Sequence, residues 1–501
     1  MERIGVIDIA SNSVRLILAE IYGKNFKLID ELKESVRLGE DLVEGNSFSE
    51  EKISYALKTL KAFKTLCSGA NAKTIIAVAT EAVRTADNGG YLIERIKEET
   101  GIDVNILSPE KVAYFDSLGV SKSLYTENSL FIDMGGSSTI IGWIKDKKLV
   151  ESCKLPFGTV TLTKQFNLSD RILHENIEKL NNFIDENLSK VSWLKETDFN
   201  NLIGIGGSMR TLGKIDRKRK RYPIDISHNY IFYDYDLHEI YNALRSKDLK
   251  QRYRMDGLSK ERADIIVAAS SLFLRVVENL GINEIKVSGK GLREGILFHY
   301  IEEKYGDIGN ILDYSINGVL ENHNVNKEHA AHVYNLAVKL YNSLKPIHHL
   351  PEEYEDILKT AAYLHDCGIS IRYYDHHIHS FYIILNSMIT GLSHKETLLS
   401  AFAAAYHRNN GFELPFAHFC SIINRLDIAN AEYAAILIRI AESLDRSLSG
   451  SVKDLSLSFD EESVTIEVEA STNIDLEINE ALKSKEAFES IYNRNLIIKQ
   501  K

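Results

Sequence analysis

The chain contains 501 residues, of which 44% are hydrophobic and 26% charged, as is ordinary for a globular protein of several domains. Its formal net charge of -11 argues against a general nucleic-acid binder, since contacts to a phosphate backbone need an excess of lysine and arginine. The 4 cysteines lack CxxC spacing, which argues against a disulfide framework and a thiolate metal site. No stretch approaches the ~18 apolar residues of a membrane helix, so a cytoplasmic protein is expected.

The first predicted elements are two strands around a small polar turn, in residues 3–21 (RIGVIDIASNSVRLILAEI). Residues 130–144 (LFIDMGGSSTIIGWI) repeat this design. The aligned pairs are Asp8 with Asp133, Ala10 with Gly135, and Ser13 with Ser138. We interpret the repeat as an internal duplication.

Helical patterns alternate with further strand patterns up to about residue 310, which indicates layered α/β structure. Beyond that point helix follows helix, and most of the histidines lie there. The tail returns to strand alternation, which indicates a small α+β extension. The predicted domains are lobe I at 1–125, lobe II at 126–310, an all-α domain at 311–450 and the extension at 451–501.

Short loops of glycine and serine after a strand suit phosphate. Glycine lets the backbone approach closely, while main-chain N–H groups and hydroxyls donate to the phosphate oxygens. Asp8 and Asp133 stand at the strand ends, where a carboxylate can hold a metal or a water. A tight hairpin turn explains one isolated loop equally well. Two copies in equivalent settings favour phosphate binding.

Six segments in this order resemble the exopolyphosphatase and guanosine pentaphosphate phosphatase (Ppx/GppA) family. They are IDIASNSVRL, ATEAVRTADN (79–88), IDMGGSST, LPFGTVTLTKQF (from 155), GIGGSMRTL (from 204) and SGKGLREGIL (from 288). That family belongs to the superfamily of actin, hexokinase and the heat-shock chaperone ATPases. The resemblance implies two duplicated α/β lobes, ribonuclease H-like in fold, with the active site in the cleft between them.

The resemblance also implies Mg²⁺ in the cleft, and polyphosphate, guanosine pentaphosphate or guanosine tetraphosphate as the ligand. The implied phosphate-binding residues are Asp8, Ser11, Asn12, Arg15, Arg84, Gly135, Gly136, Ser137, Ser138, Thr139, Gly206 and Gly207. Asp133 is expected to take part in catalysis. We expect a homodimer, and neither nucleic acid nor a membrane as a partner.

Two catalytic glutamates of that family are missing here. Ile140 follows Thr139 where the family has Ser-Thr-Glu, and Val112 takes the Glu position of a Glu-Ala-Arg type segment. Neither side chain can accept a proton, and general-base assistance is typically worth about 10²- to 10⁴-fold in rate. The lobes are therefore expected to bind phosphate and cleave it poorly, unless the catalytic base has moved to Glu110 or Glu81.

A second group of candidate residues lies in the helical region. Imidazole and carboxylate ligands suit divalent transition metals or Mg²⁺, and an adjacent His-Asp pair can bridge two ions. The ordered set resembles the HD superfamily of metal-dependent phosphohydrolases, which implies one or two Mn, Fe or Mg ions and a catalytic role for Asp366. The implied ligands are His329, His365, Asp366, His376 and His407, closed by Glu442 or Asp445. For any single histidine, a surface or capping role is the alternative.

The resulting expectation is hydrolysis of terminal phosphoanhydrides of polyphosphate or guanosine pentaphosphate in the lobe cleft. A second hypothesis makes the lobes a catalytically weak phosphate or nucleotide sensor and assigns metal-dependent hydrolysis to the HD-type domain. A third is an ATP-using kinase or chaperone, and a fourth is a non-enzymatic regulatory partner.

Overall fold

The computed structural model describes residues 1–408 and 412–501 and divides the chain into two compact units. Unit 1 comprises residues 1–221 and 225–309, and unit 2 comprises residues 222–224 and 310–501. Unit 1 therefore contains both predicted lobes, and unit 2 contains the predicted helical region and tail. Among the described helices, none is long and apolar enough to cross a membrane.

The first lobe is built on five strands: β1 (Glu2–Ile9), β2 (Val14–Tyr22), β3 (Asn25–Glu34), β4 (Thr74–Ala79) and β5 (Val104–Ile106). They form a sheet in the order β3-β2-β1-β4-β5, in which β1 to β3 are antiparallel and β4 and β5 run parallel to β1. Its helices are α1 (Gly39–Gly45), α2 (Glu50–Gly69), α3 (Glu81–Thr85), α4 (Gly89–Thr100) and α5 (Pro109–Ser121).

The second lobe has six strands: β6 (Asn128–Met134), β7 (Thr139–Lys145), β8 (Lys148–Leu155), β9 (Asn201–Ile205), β10 (Tyr230–Tyr233) and β11 (Glu284–Val287). Their order in the sheet is β10-β11-β9-β6-β7-β8. The helices of this part are α6 (Thr159–Gln165), α7 (His174–Ser189), α8 (Ser192–Lys195), α9 (Gly206–Arg219), α10 (Asp234–Arg245), α11 (Leu249–Arg252), α12 (Ile266–Leu280) and α13 (Leu292–Tyr305).

The two sheets repeat one topology, and the predicted duplication is confirmed. In each sheet, the two strands of a hairpin pair antiparallel, and a later strand pairs parallel with the first strand of the hairpin. The resulting orders are β2-β1-β4 in one lobe and β7-β6-β9 in the other. The register is equivalent as well, because Asp8 pairs with Arg15 and Asp133 pairs with Ile140. From Ile4 to Ile9 every residue of β1 is buried, as is usual for a central strand covered on both faces.

Helices α5 and α13 cross at glycines. A Cβ atom at Gly295 would lie 1.8 Å from the carbonyl oxygen of Phe115, and one at Gly119 would lie 2.5 Å from that of Gly291. Helix α5 starts where Ser108 and Pro109 predict a start, with the Ser108 hydroxyl accepting from the Lys111 N–H. The close crossing brings the buried face of α5 next to the turn that opens α13.

Unit 2 begins with helices α14 (Ile311–Asn322), α15 (Lys327–His348), α16 (Glu353–Leu364), α17 (His376–Asn386), α18 (His394–Ala405), α19 (Phe416–Phe419) and α20 (Arg425–Ser443). Its tail contains β12 (Val452–Phe459), β13 (Ser463–Ala470), α21 (Asp475–Leu482), α22 (Lys485–Tyr492) and β14 (Asn495–Gln500), with the strands in the order β12-β13-β14. One hydrophobic core contains residues of the helices and of the tail, from Leu312 to Ile498. The tail and the helices therefore form one folded unit.

Candidate functional site

The loops after β1, β6 and β9 line one cleft of unit 1, with a cavity volume of about 120 Å³. The predicted phosphate-binding residues in its lining are Asp8, Ser11, Asn12, Arg15, Arg84, Gly135, Gly136, Ser138, Gly206 and Gly207, together with Asp133. Ser137 and Thr139 lie outside the lining. Thr139 is fully buried and its Oγ1 donates to the Phe157 carbonyl at 2.8 Å, so its hydroxyl anchors the strand end and is not directed at the cleft.

The two predicted phosphate loops close in the same way. The Ala10 N–H donates to the Ser13 carbonyl at 3.1 Å, and the Gly135 N–H donates to the Ser138 carbonyl at 2.9 Å. Neither Ala10 nor Gly135 has a positive φ, so alanine fits the first loop without backbone strain. The two hairpins that were aligned in the sequence therefore share the hydrogen bond that closes their loops.

The two loops approach each other closely. A Cβ at Gly136 would lie 3.0 Å from Cβ of Ser11 and 3.6 Å from the Asn12 nitrogen. From the other side, Gly158 packs against the second loop, where a Cβ would lie 2.5 Å from the Gly135 oxygen and 2.6 Å from the Gly136 oxygen. Bare backbone at these positions leaves the phosphate loops in direct contact with their neighbours.

Two buried aspartates, Asp8 and Asp116, and the half-buried Asp133 interact electrostatically around the cleft. Burial raises the pKa of Asp8 to about 6, although Arg15 and Arg293 oppose the shift. Burial also raises the pKa of Asp133, and it raises that of Asp116 well above the usual range, with Asp133 and Asp8 adding to the effect. Within the described residues, Oδ1 of Asp8 and both carboxylate oxygens of Asp116 have no hydrogen-bond partner. Such oxygens fit Mg²⁺, which binds one or two carboxylates and completes its shell with water and substrate phosphate.

Five arginines line the same cleft: Arg15, Arg84, Arg210, Arg262 and Arg293. Burial lowers the pKa of Arg210 and of Arg262 to about 10, with Arg15 adding to both shifts, and both side chains stay charged at neutral pH. The Arg262 guanidinium lies against the backbone of α9, since a Cβ at position 207 would lie 1.9 Å from its Nη2. These charges complement a multiply charged phosphate anion.

Sequence reasoning missed Asp116 and three of these arginines. Arg210 and Arg293 lie inside the segments GIGGSMRTL and SGKGLREGIL, in which the glycines were the residues used to predict phosphate binding. Asp116 lies one helical turn after Val112 on α5, a spacing that puts the two side chains on one face of the helix. Arg262 comes from a short 3₁₀ turn with no distinguishing signal in the sequence.

The two proposed replacements for the missing base have different positions. Glu81 lines the cleft and is 8% exposed, and its carboxylate accepts from Lys154 Nζ at 2.9 Å and from Arg84. Glu110 is exposed on the first turn of α5 and is outside the lining of the cleft. Val112 does line the cleft.

In unit 2, four histidines surround the carboxylate of Asp366. The Nε2 atoms of His329, His365, His376 and His407 lie 3.9, 3.6, 3.1 and 3.8 Å from a carboxylate oxygen of Asp366. Among the described residues, two groups of three ligand atoms lie within 4.8 Å of one another, and Asp366 belongs to both: one with His329 and His365, the other with His376 and His407. A shared carboxylate between two histidine pairs suits one or two divalent ions.

Main-chain carbonyls orient three of these imidazoles. Nδ1 of His365 donates to the Ala362 carbonyl at 2.8 Å, Nδ1 of His376 donates to the Tyr373 carbonyl at 2.7 Å, and Nδ1 of His407 donates to the Ala404 carbonyl at 2.5 Å. Because a carbonyl oxygen only accepts, Nδ1 carries the proton and each Nε2 presents a lone pair towards Asp366. In the described part of the chain, Nε2 of His365 has no hydrogen-bond partner.

The two predicted closing carboxylates have different environments. Asp445 Oδ2 accepts from Nδ1 of His329 at 2.7 Å, which turns Nε2 of that ring towards Asp366. Glu442 instead pairs with Nη1 of Arg446 at 3.0 Å.

Family models match almost the entire chain. The model of the Ppx/GppA phosphatase family matches residues 17–304, and that of Ppx/GppA phosphatase domain III matches residues 311–488. The chain belongs to the Ppx/GppA phosphatase family. The predicted family and the predicted two-lobe fold are thereby confirmed.

Among related proteins, the guanosine-5'-triphosphate,3'-diphosphate pyrophosphatase of Pseudoalteromonas translucida is 27% identical over 450 residues, or 87% of this chain and 86% of the relative. The phosphatase of the same name from Aeromonas hydrophila is 26% identical over 481 residues, or 92% of this chain and 91% of the relative. A bifunctional 3-dehydroquinate synthase/phosphatase of Fusobacterium nucleatum is 28% identical over 311 residues, which are 60% of this chain and 46% of that longer protein.

Two solved structures resemble the chain over 60% of its length. The Ppx/GppA family member of Aquifex aeolicus has 30% identity and a TM-score of 0.54, with 98% of its own chain covered. An exopolyphosphatase of Cytophaga hutchinsonii has 27% identity and a TM-score of 0.58, again with 98% covered.

The pKa of Asp8 generates a test of the cleft in this Ppx/GppA protein. Since that pKa is raised from 3.8 to about 6 in the folded chain, ionised Asp8 costs stability above pH 6, and the cost fades as pH falls towards 4. We expect the free energy of unfolding of Asp8→Asn at pH 7.5 to exceed that of the wild type by up to about 3 kcal/mol, with a higher Tm. At pH 4 the two proteins should have similar Tm values.

Magnesium supplies the control for this measurement. Because the cation takes the place of the proton, Mg²⁺ should raise the Tm of the wild type at pH 7.5 and act less on Asp8→Asn. An equal effect of the substitution at both pH values would contradict the buried, cation-binding role of Asp8.

The contact of Gly158 with the second loop generates another test. In Gly158→Ala, the added methyl meets the backbone of Gly135 and Gly136, which cannot rotate away. We expect a loss of about 1–3 kcal/mol in stability, as in other overpacked sites, and a higher KM for the phosphate substrate. Gly90→Ala is the matched control, because nothing lies within 4 Å of a Cβ there. A KM unchanged from the wild type would separate this loop from substrate binding.

Proposed function

We propose that the chain hydrolyses terminal phosphoanhydrides of inorganic polyphosphate or of guanosine pentaphosphate in the cleft of unit 1. The observation that carries the proposal is the meeting of two equivalent phosphate loops across a cleft lined by five arginines. The similarity to two guanosine-5'-triphosphate,3'-diphosphate pyrophosphatases and to an exopolyphosphatase supports the same chemistry.

The start of α9 supplies further donors for the phosphate chain. Gly206 and Gly207 open this helix and line the cleft, and the first N–H groups of a helix have no partner within it. The helix dipole adds positive potential at the same end. Arg210 and Arg262 flank this terminus, so backbone and side chains together neutralise several phosphate oxygens.

We propose that Asp8, Asp116 and Asp133 hold Mg²⁺ in the cleft. The support is the buried, partnerless oxygens of Asp8 and Asp116 among the described residues, with Asp133 in the lining of the same cleft. When bound, Mg²⁺ supplies neutralisation of the negative charge on the phosphate oxygens.

Glu81 is the proposed base, since the cleft positions equivalent to the family glutamates hold Val112 and Ile140. The carboxylate of Glu81 lines the cleft and is ion-paired with Lys154 and Arg84. A water attacks the terminal phosphorus and passes a proton to this carboxylate. The phosphoanhydride bond breaks with its electron pair on the bridging oxygen, and orthophosphate leaves the shortened chain.

Substitution of Glu81 tests this role. In Glu81→Gln the side chain keeps its size but accepts no proton, so we expect kcat for polyphosphate to fall by about 10²-fold or more. Steady-state release of phosphate measures the effect, and the Tm of the variant reports any structural loss.

Two control variants separate proton transfer from ion pairing. Lys154→Met removes one ion pair but leaves the Glu81 carboxylate, so kcat should fall much less than in Glu81→Gln. Glu110→Gln tests the alternative base and should leave kcat within about twofold, as surface changes usually do. If Glu110→Gln had the larger effect, the base would be Glu110, as first expected from the sequence.

The Asp366 cluster supports a second candidate function. We propose that residues 311–450 form an HD-type domain whose histidines and Asp366 bind one or two divalent ions and hydrolyse a phosphate ester or anhydride. The supporting observation is the convergence of four Nε2 atoms on one half-buried carboxylate. The predicted homodimer and cytoplasmic location stay predictions.

Metal content and activity together distinguish the two centres. We expect the wild type to retain Mn²⁺ after gel filtration, and Asp366→Ala to lose it because both ligand groups share this carboxylate. Polyphosphate hydrolysis should continue in Asp366→Ala. His349→Ala, at an exposed histidine outside both groups, is the control and should keep its metal. Loss of polyphosphate hydrolysis along with the metal would assign that reaction to unit 2.

A further inference from the structure

A pocket of unit 2 adjoins the histidine cluster, with a cavity volume of about 110 Å³. Arg408, Arg439 and Arg446 line it together with Glu442 and Ser443. Arg439 comes from α20, Arg446 follows the end of that helix, and Arg408 follows α18. Three guanidinium groups from two parts of the chain therefore meet in one small space.

The positive charge of this pocket is only partly balanced by the protein. Glu442 pairs with Nη1 of Arg446 at 3.0 Å and lies 3.9 Å from Nη1 of Arg408. Burial lowers the pKa of Arg439, and its Nε has no hydrogen-bond partner among residues 1–408 and 412–501. Glu480 also lines the pocket but pairs with Lys483. Three arginines against one carboxylate leave two positive charges, which matches a phosphate dianion.

The pocket and the histidine cluster share His407. Its Nε2 lies 3.8 Å from Asp366 and 3.1 Å from Nε2 of His376, and the same ring forms part of the pocket lining. A ligand held by the arginines is therefore next to the proposed metal ligands.

We propose that Arg408, Arg439 and Arg446 form a phosphate-binding subsite beside the metal centre of unit 2. Phosphate binding at this subsite is inferred from the arginine pocket alone. A catalytic role for the bound phosphate rests on the proposed metal centre. Guanidinium groups suit this task because their planar N–H forks donate pairs of charge-assisted hydrogen bonds to phosphate oxygens. In this assignment Glu442 is the internal anion that orients Arg446 towards the ligand.

The test is a titration of the full chain with inorganic phosphate in the presence of Mn²⁺, with Arg408→Gln/Arg446→Gln compared with the wild type. The cleft of unit 1 is the same in both proteins, so the difference between them reports the pocket. We expect one class of phosphate site to weaken by about 10-fold or more, because two charged donors are lost. Arg425→Gln, at an exposed arginine that begins α20, is the control and should bind phosphate as the wild type does.

Metal content, measured on the same samples, separates failure of the subsite from failure of the metal centre. A double variant that retains Mn²⁺ and binds phosphate as tightly as the wild type would overturn the subsite. Arginine-dependent phosphate binding without bound Mn²⁺ would support the subsite and contradict the metal centre. A parallel titration with guanosine 5'-monophosphate tells an ester from the free anion. If the affinity for either probe is lost with the two arginines, the subsite is supported.

Discussion

Buried charge in the cleft of unit 1 is the constraint on which the rest of that unit depends. Asp8 and Asp116 are carboxylates removed from water, Asp133 is partly so, and burial is the main cause that raises their pKa values. The arginines around them are also desolvated, as the lowered pKa values of Arg210 and Arg262 show. Unpaired buried charge is costly, and the cost falls when an oppositely charged group arrives. A cation for the carboxylates and a phosphate chain for the arginines would relieve both costs at once.

Repetition of one hairpin explains how two short segments produce this arrangement. After both β1 and β6, the N–H of the first loop residue donates a hydrogen bond to the carbonyl of the residue three positions later. The pairing partner in the second strand differs, since Arg15 faces Asp8 and Ile140 faces Asp133. One copy therefore carries a cation beside its aspartate, while the other carries an apolar side chain. The loss of a carboxylate at position 140 leaves the phosphate-binding backbone of the second loop in place.

Local features of the sequence determined how much of each site was predictable. The hairpins, their loops and the His-Asp pair were found because adjacent residues carry the pattern, as with Asp133 to Ser138 and His365 with Asp366. Asp116 was missed because its role depends on a glycine crossing with α13, far away in the sequence. Asp445 and Glu442 lie one turn apart on and beyond α20, and only the fold shows that Asp445 orients His329 while Glu442 pairs with Arg446.

The two units position their candidate ligand-binding groups by different means. Unit 1 relies on glycine backbones that pack without side chains, so the loops are positioned by contacts such as that of Gly158 with Gly135. Unit 2 relies on fixed imidazole tautomers, since carbonyl groups occupy the Nδ1 atoms of His365, His376 and His407. A core with only a structural purpose would satisfy the Nε2 of His365 or replace the ring with an apolar side chain, because an unpaired buried acceptor costs about 1–3 kcal/mol. That unpaired nitrogen, fully buried beside Asp366, is the observation that most favours the proposed cation site of unit 2.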